Sequence, residues 1–409
     1  MSKRLIPAFL LTFVNVLGFS ILMPVLPFIV KDYGAPEWMY GLLLTCYSAF
    51  QFLGAPYLGA MSDRLGRKPV LIISQAGTLL SWFVFLLALY LPETRILGLA
   101  LPLWIIAFSR ILDGITGGNV SVTNAYVSDI TTLKEKSYIF GYLGGIAGIG
   151  MIIGPGIGGT TASSSWGFVG TMIAAIVIST ITLIALFAWI KETHPQERRS
   201  SDKRKSLIYS FLILRRIKTV NPSSFIKNIF WMKFLFSIMM AFYISTIALF
   251  MIDLFKFNPK ELGLFMLGVG VFLAFNQAFV SKIFIRHFGA LNTLFLGLSF
   301  CVIGMFAITL TNNIFVYFAC YYILNLGLSL CFPTFNGLIA IHSDSKKQGE
   351  IMGISESISS LTLAIFPLIA AALYGKFGFY IYYVVALLPI IAFYIGYSWK
   401  MKNKHIFGE

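Results

Sequence analysis

The stretch from Leu58 to Leu71 reads LGAMSDRLGRKPVL, a short charged block between two long apolar runs. Gly66 can adopt the left-handed conformation that a helix end needs, and Pro69 suits the first turn of a following helix because its missing N–H is no loss there. Gly59 leaves room for a neighbouring helix to approach closely. The block therefore predicts a tight polar hairpin between two membrane helices. An alternative is a solvated loop whose basic residues only set the membrane topology.

Composition places the whole chain in a membrane. Of its 409 residues, 58% are hydrophobic and 11% are charged, whereas soluble domains have roughly 25% charged residues. The net charge of +15 could suit nucleic acid, but Lys and Arg are dispersed over short segments between apolar runs, so we expect no nucleic-acid partner. Most of these cations fall in segments on one side of the lipid bilayer. This asymmetry predicts a protein of the inner, cytoplasmic membrane with both termini in the cytoplasm.

Neither a metal site nor a cofactor site is indicated by the sequence. The four cysteines all lie in apolar runs without C-x-x-C spacing, so we expect core residues rather than a zinc site or a disulfide framework; they are Cys46, Cys301, Cys320 and Cys331. Lys3 and Arg4 precede an apolar run that reaches about Ile29. That run is too long for the core of a signal peptide, so it is expected to be a retained first helix.

Long apolar windows predict an all-α membrane protein with twelve transmembrane helices in two six-helix bundles. The helices are expected at roughly 5 to 30, 37 to 61, 70 to 90, 100 to 129, 138 to 162, 165 to 190, 226 to 252, 260 to 282, 290 to 310, 313 to 341, 349 to 374 and 377 to 399. Residues 1–190 would form the N-terminal bundle and 191–225 a cytoplasmic linker. Residues 226–409 would form the C-terminal bundle with a short cytoplasmic tail.

Two charges interrupt the apolar surface of predicted helix 4, which contains SRILDGITGGNVSVTNAYVSDIT. Arg110 and Asp113 are one turn apart and lie roughly 15 to 20 Å from the helix start, near the bilayer middle. An intramembrane charge is unfavourable by at least ~2.5 kcal/mol, so such residues normally face the bundle interior and pair. We therefore predict a functional role for Arg110 and Asp113 as an ionisable pair within the membrane. The alternative is a neutralised structural pair.

Glu356 is the second acidic residue at membrane depth, about 10 Å into predicted helix 11 by helical rise. It has no cationic neighbour in sequence, so we expect burial to dominate its environment. It is predicted to be a second proton site or a contact for cationic substrates. Polar residues of several helices are further candidates for the substrate cavity: Asn15, Gln51, Asn119, Asn124, Asn276, Gln277 and Asn325.

Glycine and proline shape two of the predicted helices. In helix 1, Pro24 and Pro27 remove backbone hydrogen bonds and bend the segment, either for packing or beside a cavity. Helix 5 carries small residues at spacings that permit close helix contact, among them Gly150, Gly154, Pro155, Gly158 and Gly159. Simple packing without a role in transport is the alternative for helix 5.

Four motifs carry a resemblance to a known family. They are MPVLP at Met23 to Pro27, the loop from Gly59 to Lys68, RILDGITGG at Arg110 to Gly118, and GPGIGG at Gly154 to Gly159. With these motifs the chain resembles the twelve-helix drug:proton antiporters of the major facilitator superfamily, most closely the tetracycline-efflux-like branch.

The resemblance implies roles for individual residues. The loop between helices 2 and 3 would latch the cytoplasmic side, with Asp63 meeting helix 11 and Arg67 meeting Asp129. Gly59, Arg64 and Gly66 belong to the same loop motif. The resemblance also associates Arg110 with proton movement and makes the helix-5 glycines, with Pro155, the antiporter motif.

The chain departs from that branch in its ionisable residues. Tetracycline exporters carry an acidic residue in helix 1, where this chain has Asn15, and ionisable residues in helices 8 and 9, where this chain has none at membrane depth. The histidines fall in loops, tails or helix ends. Asp113 and Glu356 are therefore the protonatable groups expected within the membrane.

Together these patterns predict a monomeric secondary transporter that exchanges protons for a small amphipathic organic compound, outward. No G-x-x-x-x-G-K-[ST] loop is present, which argues against a nucleotide-driven pump, and no nucleophile and base pair points to an enzyme. One alternative is a proton-coupled importer or exporter of a specific metabolite or siderophore. Another is a membrane sensor on the same fold that has lost transport.

Overall fold

A computed structural model of the chain describes residues 5–195, 220–343 and 347–402. Lys3, Arg4, His405 and most of the predicted linker lie outside the described residues. The described chain is almost entirely helical, with one short hairpin of two strands, β1 (Arg95–Ile96) and β2 (Leu99–Ala100), paired antiparallel. The predicted all-α class is therefore confirmed.

The first part of the chain forms eight helices within the described residues. They are α1 (Ile6–Ser20), α2 (Leu26–Asp32), α3 (Glu37–Leu65), α4 (Arg67–Ala88), α5 (Leu101–Gly117), α6 (Val120–Ile130), α7 (Leu133–Ala162) and α8 (Gly167–Trp189). The second part contributes α9 (Ser224–Phe255), α10 (Pro259–Phe275), α11 (Ser281–Phe288), α12 (Ala290–Ala307), α13 (Ile314–His342), α14 (Gln348–Phe377), α15 (Ile381–Val385) and α16 (Leu387–Lys402). A π-helical segment, Asn276–Val280, joins α10 to α11.

Predicted helix 1 is interrupted, and so is predicted helix 4. Turn residues separate α1 from α2 at Pro24, which lacks the N–H that a continuous helix needs, and Pro27 lies in the first turn of α2. Gly118 and Asn119 separate α5 from α6. A Cβ at Gly118 would lie 2.5 Å from the backbone carbon of Gly54, so the break occurs at a close contact with α3.

Within the described residues, eight helical stretches are long and apolar enough to cross a membrane by length and composition. One of them, Gln348–Lys402, is 55 residues long and contains α14 to α16. The difference from twelve predicted crossings has a physical reason. Predicted helices 1 and 4 are each divided into two shorter helices, α3 is long but not apolar enough, and α14 to α16 form one stretch with only brief interruptions.

The chain divides into two compact units. Unit 1 comprises Met1–Phe211 with Phe257–Gly268, and unit 2 comprises Leu212–Lys256 with Val269–Glu409. The segment Phe257–Gly268 belongs to unit 1 because the backbones of α7 and α10 approach closely there: a Cβ at Gly159 would lie 2.9 Å from the Cα of Gly263.

The core of unit 1 beside the charged loop is built from apolar residues of several helices. Leu58, Val70, Leu71 and Val127 are buried together with Tyr126. Burial of these side chains on both sides of the hairpin fixes the ends of α3 and α4. The polar residues between those ends are therefore held on a rigid base.

Candidate functional site

A buried ion pair lies in α5. Arg110 Nη2 is 2.5 Å from Asp113 Oδ2, and the two side chains are 2% and 4% exposed. The predicted pairing at one turn is therefore present. Two opposite charges buried together neutralise each other, whereas either charge alone would be strongly destabilising.

Aromatic rings of neighbouring helices surround the cation. The Arg110 guanidinium carbon is 4.8 Å from the ring centroid of Tyr47 and 5.6 Å from that of Trp82, distances at which a cation is attracted to an aromatic face. Thr78, a neighbour of Asp113, pairs its hydroxyl oxygen with that of Thr116 at 2.9 Å. The other terminal nitrogen of Arg110, Nη1, is buried without a hydrogen-bond partner among the described residues. The guanidinium thus keeps the two N–H donors of Nη1 to offer to an incoming acceptor.

Three of the predicted cavity residues form one hydrogen-bonded network beside this pair. Asn15 Nδ2 donates to Asn119 Oδ1 at 2.5 Å, and Asn119 Nδ2 donates to Ser74 Oγ at 2.6 Å. Gln51 Nε2 donates to the Tyr47 hydroxyl at 3.1 Å. These bonds join α1, α3, α4 and the α5 to α6 break, and they connect the network to Tyr47, which faces Arg110.

The remaining cavity candidates differ in their surroundings. In unit 2, Asn276 Nδ2 donates to Asn325 Oδ1 at 3.4 Å, and both residues are buried. Asn276 begins the π-helical segment, so its side chain helps to hold that irregular turn. Asn124 is exposed and Gln277 is half-buried. The lining of a substrate cavity by any of these residues stays a prediction.

Arg67 is the centre of the charged loop. Its Nη1 is 2.6 Å from Asp63 Oδ1 and 2.5 Å from Ser62 Oγ, and its Nε is 3.3 Å from Asp129 Oδ2. The contact with Asp129 that the resemblance implies is therefore present. Gly66 has φ of 101°, the positive value that the pattern predicted. Contact of Asp63 with helix 11 stays a prediction.

Two other residues of the loop motif have separate surroundings. Arg64 is exposed. A Cβ at Gly59 would lie 3.4 Å from Ser121 Oγ, so the glycine admits α6 close to α3 as its position suggested.

Glu192 completes the loop and was not predicted. Its carboxylate accepts hydrogen bonds from the backbone N–H of Arg67 at 2.9 Å and of Lys68 at 3.2 Å, as well as from Thr193 and His194. Burial raises the pKa of Glu192, but the four backbone N–H donors outweigh it and hold the pKa below its usual range. The carboxylate therefore caps the N-terminus of α4. It also explains why α4 begins at Arg67, before the predicted start at residue 70.

Several glycines of α7 pack against α1 and the residue that follows it. A Cβ at Gly150 would lie 2.9 Å from the Phe13 carbonyl oxygen, and one at Gly158 would overlap the Ile21 carbonyl oxygen. Ser20 Oγ donates to the Gly150 carbonyl oxygen at 3.0 Å. Gly154 lies in the same contact, since its Cβ would be 3.0 Å from the Ile21 backbone nitrogen, whereas Pro155 and Gly159 contact Gly263 of α10. The motif therefore does allow close contact between helices. The contribution of the motif to antiport stays a prediction.

A second polar site lies in unit 2 around Lys233 of α9. Its Nζ is 3.1 Å from Glu356 Oε1, 2.7 Å from Ser355 Oγ and 3.2 Å from Asn336 Oδ1. The Glu356 side chain is 63% exposed. The expectation that burial dominates at Glu356 without a cationic neighbour is therefore wrong, because the cation is supplied by another helix. An interior lysine in the apolar run WMKFLF was the signal available in the sequence.

Several membrane-length helices, a buried ion pair in the apolar helix α5 and close glycine packing define a polytopic membrane transporter. The chain belongs to the Major Facilitator Superfamily, whose family model matches residues 8–361. Members of this superfamily are secondary transporters, not enzymes.

Known proteins of similar sequence include drug-resistance proteins. The class H tetracycline resistance protein of Pasteurella multocida is 28% identical over 92% of this chain and 90% of its own length. The quinolone resistance protein NorA of Staphylococcus aureus is 24% identical over 91% of this chain and 90% of its own length.

Solved structures agree in fold. The human organic anion transporter MFSD10 superposes with a TM-score of 0.70 at 21% identity, covering 96% of this chain and 99% of that one. An inward-facing bacterial homologue of the lysosomal transporter Spinster gives 0.76 at 12% identity, covering 97% of each chain. These likenesses confirm the predicted major facilitator fold.

Proposed function

We propose that the protein exports a small amphipathic organic compound in exchange for protons, as a monomer in the inner membrane with both termini in the cytoplasm. We also propose that residues 1–190 form the N-terminal bundle, 191–225 the cytoplasmic linker and 226–409 the C-terminal bundle. Support for drug export comes from similarity to tetracycline and quinolone resistance proteins over about nine-tenths of the chain.

The buried pair of Arg110 and Asp113 is the observation that carries proton coupling. Protonation of Asp113 would remove one charge of a pair whose side chains are 2% and 4% exposed. The remaining guanidinium would then lack its counter-ion in a low-dielectric site, an arrangement that is unfavourable by several kcal/mol, roughly 3 to 5. The proton is therefore coupled to a rearrangement of α5 that gives Arg110 a new partner.

The neighbours of Arg110 suit such an exchange. Tyr47 and Trp82 stabilise the cation through their rings, and the donors of Nη1 are free among the described residues. Tyr47 is also bonded to Gln51 and, through its hydroxyl, to the Asn15 carbonyl oxygen at 3.5 Å. A change at the ion pair thus reaches the asparagine network through Tyr47.

The charged loop would act as the latch. Arg67 holds Asp63 and Asp129 together, so the ends of α3, α4 and α6 move as one body while these contacts last. Release of the loop would accompany the change between inward-facing and outward-facing states.

The test is transport by the purified full chain in proteoliposomes, with tetracycline and norfloxacin as probes. A pH gradient with an acidic lumen should drive probe uptake without ATP, and a protonophore should abolish it. Uptake that persists after the gradient has collapsed would contradict proton exchange. If neither probe is taken up but other organic compounds are taken up under the gradient, the proposed substrates are wrong and the proposed proton coupling stands.

A further inference from the structure

We propose that a pocket of unit 2, located beside Lys233, binds the carboxylate group of a small aromatic acid, with Lys233 as the counter-ion. This inference rests on the proposed function, since it names a substrate class for the transporter. It assigns a role to Lys233, a buried cation that neither the ion pair of α5 nor the charged loop uses.

The pocket lies between α9, α13 and α14 and has a volume of about 180 Å³. Its apolar wall is formed by Phe236, Met240, Ile244, Phe332, Phe335 and Leu363. The Phe236 ring centroid is 5.4 Å from that of Phe332 and 5.3 Å from that of Phe335. A dry cavity of about 150 Å³ can hold benzene, so this pocket has room for one aromatic ring with a short polar arm.

The polar end of the pocket is organised by Lys233. Its ammonium contacts three acceptors, and Ser355 and Asn336 are neutral, so Glu356 supplies the negative charge. The Lys233 side chain is 9% exposed. A cation buried to this degree needs an anionic partner, because its desolvation is otherwise uncompensated.

Glu356 is an exchangeable partner. Its side chain is 63% exposed and lines the pocket, so it can turn away from Lys233 more readily than the buried Lys233 can turn away from it. A ligand carboxylate that replaces it would keep the charge of the site balanced and would receive a charge-assisted hydrogen bond from Nζ. A ligand cation would instead meet the ammonium of Lys233. The pocket therefore selects an anion with an aromatic body.

A matched series of probes isolates the charge: 3-phenylpropionate, 3-phenylpropanamide and 3-phenylpropylamine have nearly the same shape. Binding to the purified full chain in detergent is measured by isothermal titration calorimetry. We expect the acid to bind at least tenfold more tightly than the amide and the amine. Lys233→Gln should weaken binding of the acid at least tenfold, and Glu356→Gln should strengthen it about fivefold because the competing carboxylate is gone.

Lys227→Gln is the matched control, since Lys227 is an exposed cation on the same helix and bonds Asn221 at 3.1 Å. It should leave binding unchanged. Should Lys233→Gln fold poorly, thermal stability supplies the second readout: the acid should raise the melting temperature of Glu356→Gln more than that of the wild type.

Equal binding of the three probes, absence of binding by all three, or tighter binding of the amine would overturn the proposal. Displacement of the acid by phosphatidylglycerol but not by phosphatidylcholine would also overturn it, because the occupant would then be a lipid phosphate. These measurements use no proton gradient. Their failure is therefore distinct from a failure of proton-driven transport in proteoliposomes.

Discussion

The Glu192 carboxylate accepts a hydrogen bond from the backbone N–H of Arg67 at 2.9 Å, across 125 residues of sequence. The same carboxylate accepts from Lys68, so it satisfies two of the donors that a helix start leaves unpaired. Thr193 Oγ1 also donates to Asp129 Oδ2 at 3.1 Å. The segment that follows α8 thus holds the beginning of α4 and the end of α6 together, at the carboxylate that Arg67 also contacts.

The first prediction concerns Glu192. Its folded-state pKa lies below the ordinary value of 4.5, so the stability that it contributes is present at neutral pH and is lost as the pH falls through the folded pKa. Glu192→Gln should lower stability at pH 7 by about 1 kcal/mol, the size of an anion effect at a helix N-terminus. Melting temperatures of the variant and the wild type, measured from pH 7 to about pH 3, should differ above pH 4.5 and converge as the pH falls below it. Glu93→Gln in an exposed loop is the control, and a difference that is constant with pH would argue against the cap.

The second prediction concerns Arg67 and its two carboxylates. Asp63→Asn should nearly abolish transport while membrane insertion and expression remain normal, because the latch would lose an ionic contact. Arg67→Ala and Asp129→Asn should each impair transport, and their combination should be little worse than the more severe single change. This double-mutant cycle should give a coupling of about 0.5 to 3 kcal/mol. Additive losses would show that the pair does not act as a unit.

The third prediction separates coupling from structure at the buried pair. Asp113→Asn should abolish accumulation driven by a pH gradient yet retain probe binding, and it should destabilise the protein by roughly 3 to 5 kcal/mol because Arg110 loses its counter-ion. The double variant Arg110→Gln with Asp113→Asn should recover much of that stability and still fail to accumulate the probe. Recovery of transport together with stability would return the pair to a purely structural role, as would normal accumulation by Asp113→Asn alone.

The fourth prediction tests the glycine contact of α7. Gly158→Ala would push a methyl group into the Ile21 carbonyl oxygen, a backbone atom that cannot move aside as a side chain would. Overpacking of this kind is unfavourable by about 1 to 3 kcal/mol, so stability and transport should both fall. Gly148→Ala is the matched control, since nothing lies within 4 Å of a Cβ there. Thermal melting and proteoliposome uptake of the two variants provide the comparison. Equal effects of the two substitutions would contradict a functional close contact at Gly158.

Local pattern in the sequence was sufficient for the class of fold and for features within one helix or one turn. Long apolar runs predicted the all-α membrane class, because the lipid core requires each backbone group to be satisfied inside its own helix. The positive φ of Gly66 followed from its position at a helix end. The pairing of Arg110 with Asp113 followed from a spacing of one turn.

Contacts between distant helices were decided by the tertiary structure. Glu356 was expected to lack a cation, yet Lys233, 123 residues away, contacts it. Glu192 was not singled out by any pattern, although it determines where α4 begins. The physical reason is the same for both residues. Spacing along one helix determines which side chains share a face. Which faces meet depends on how the helices rotate and pack against one another. That packing depends on the burial of all the apolar surfaces together, so it cannot be read from one segment.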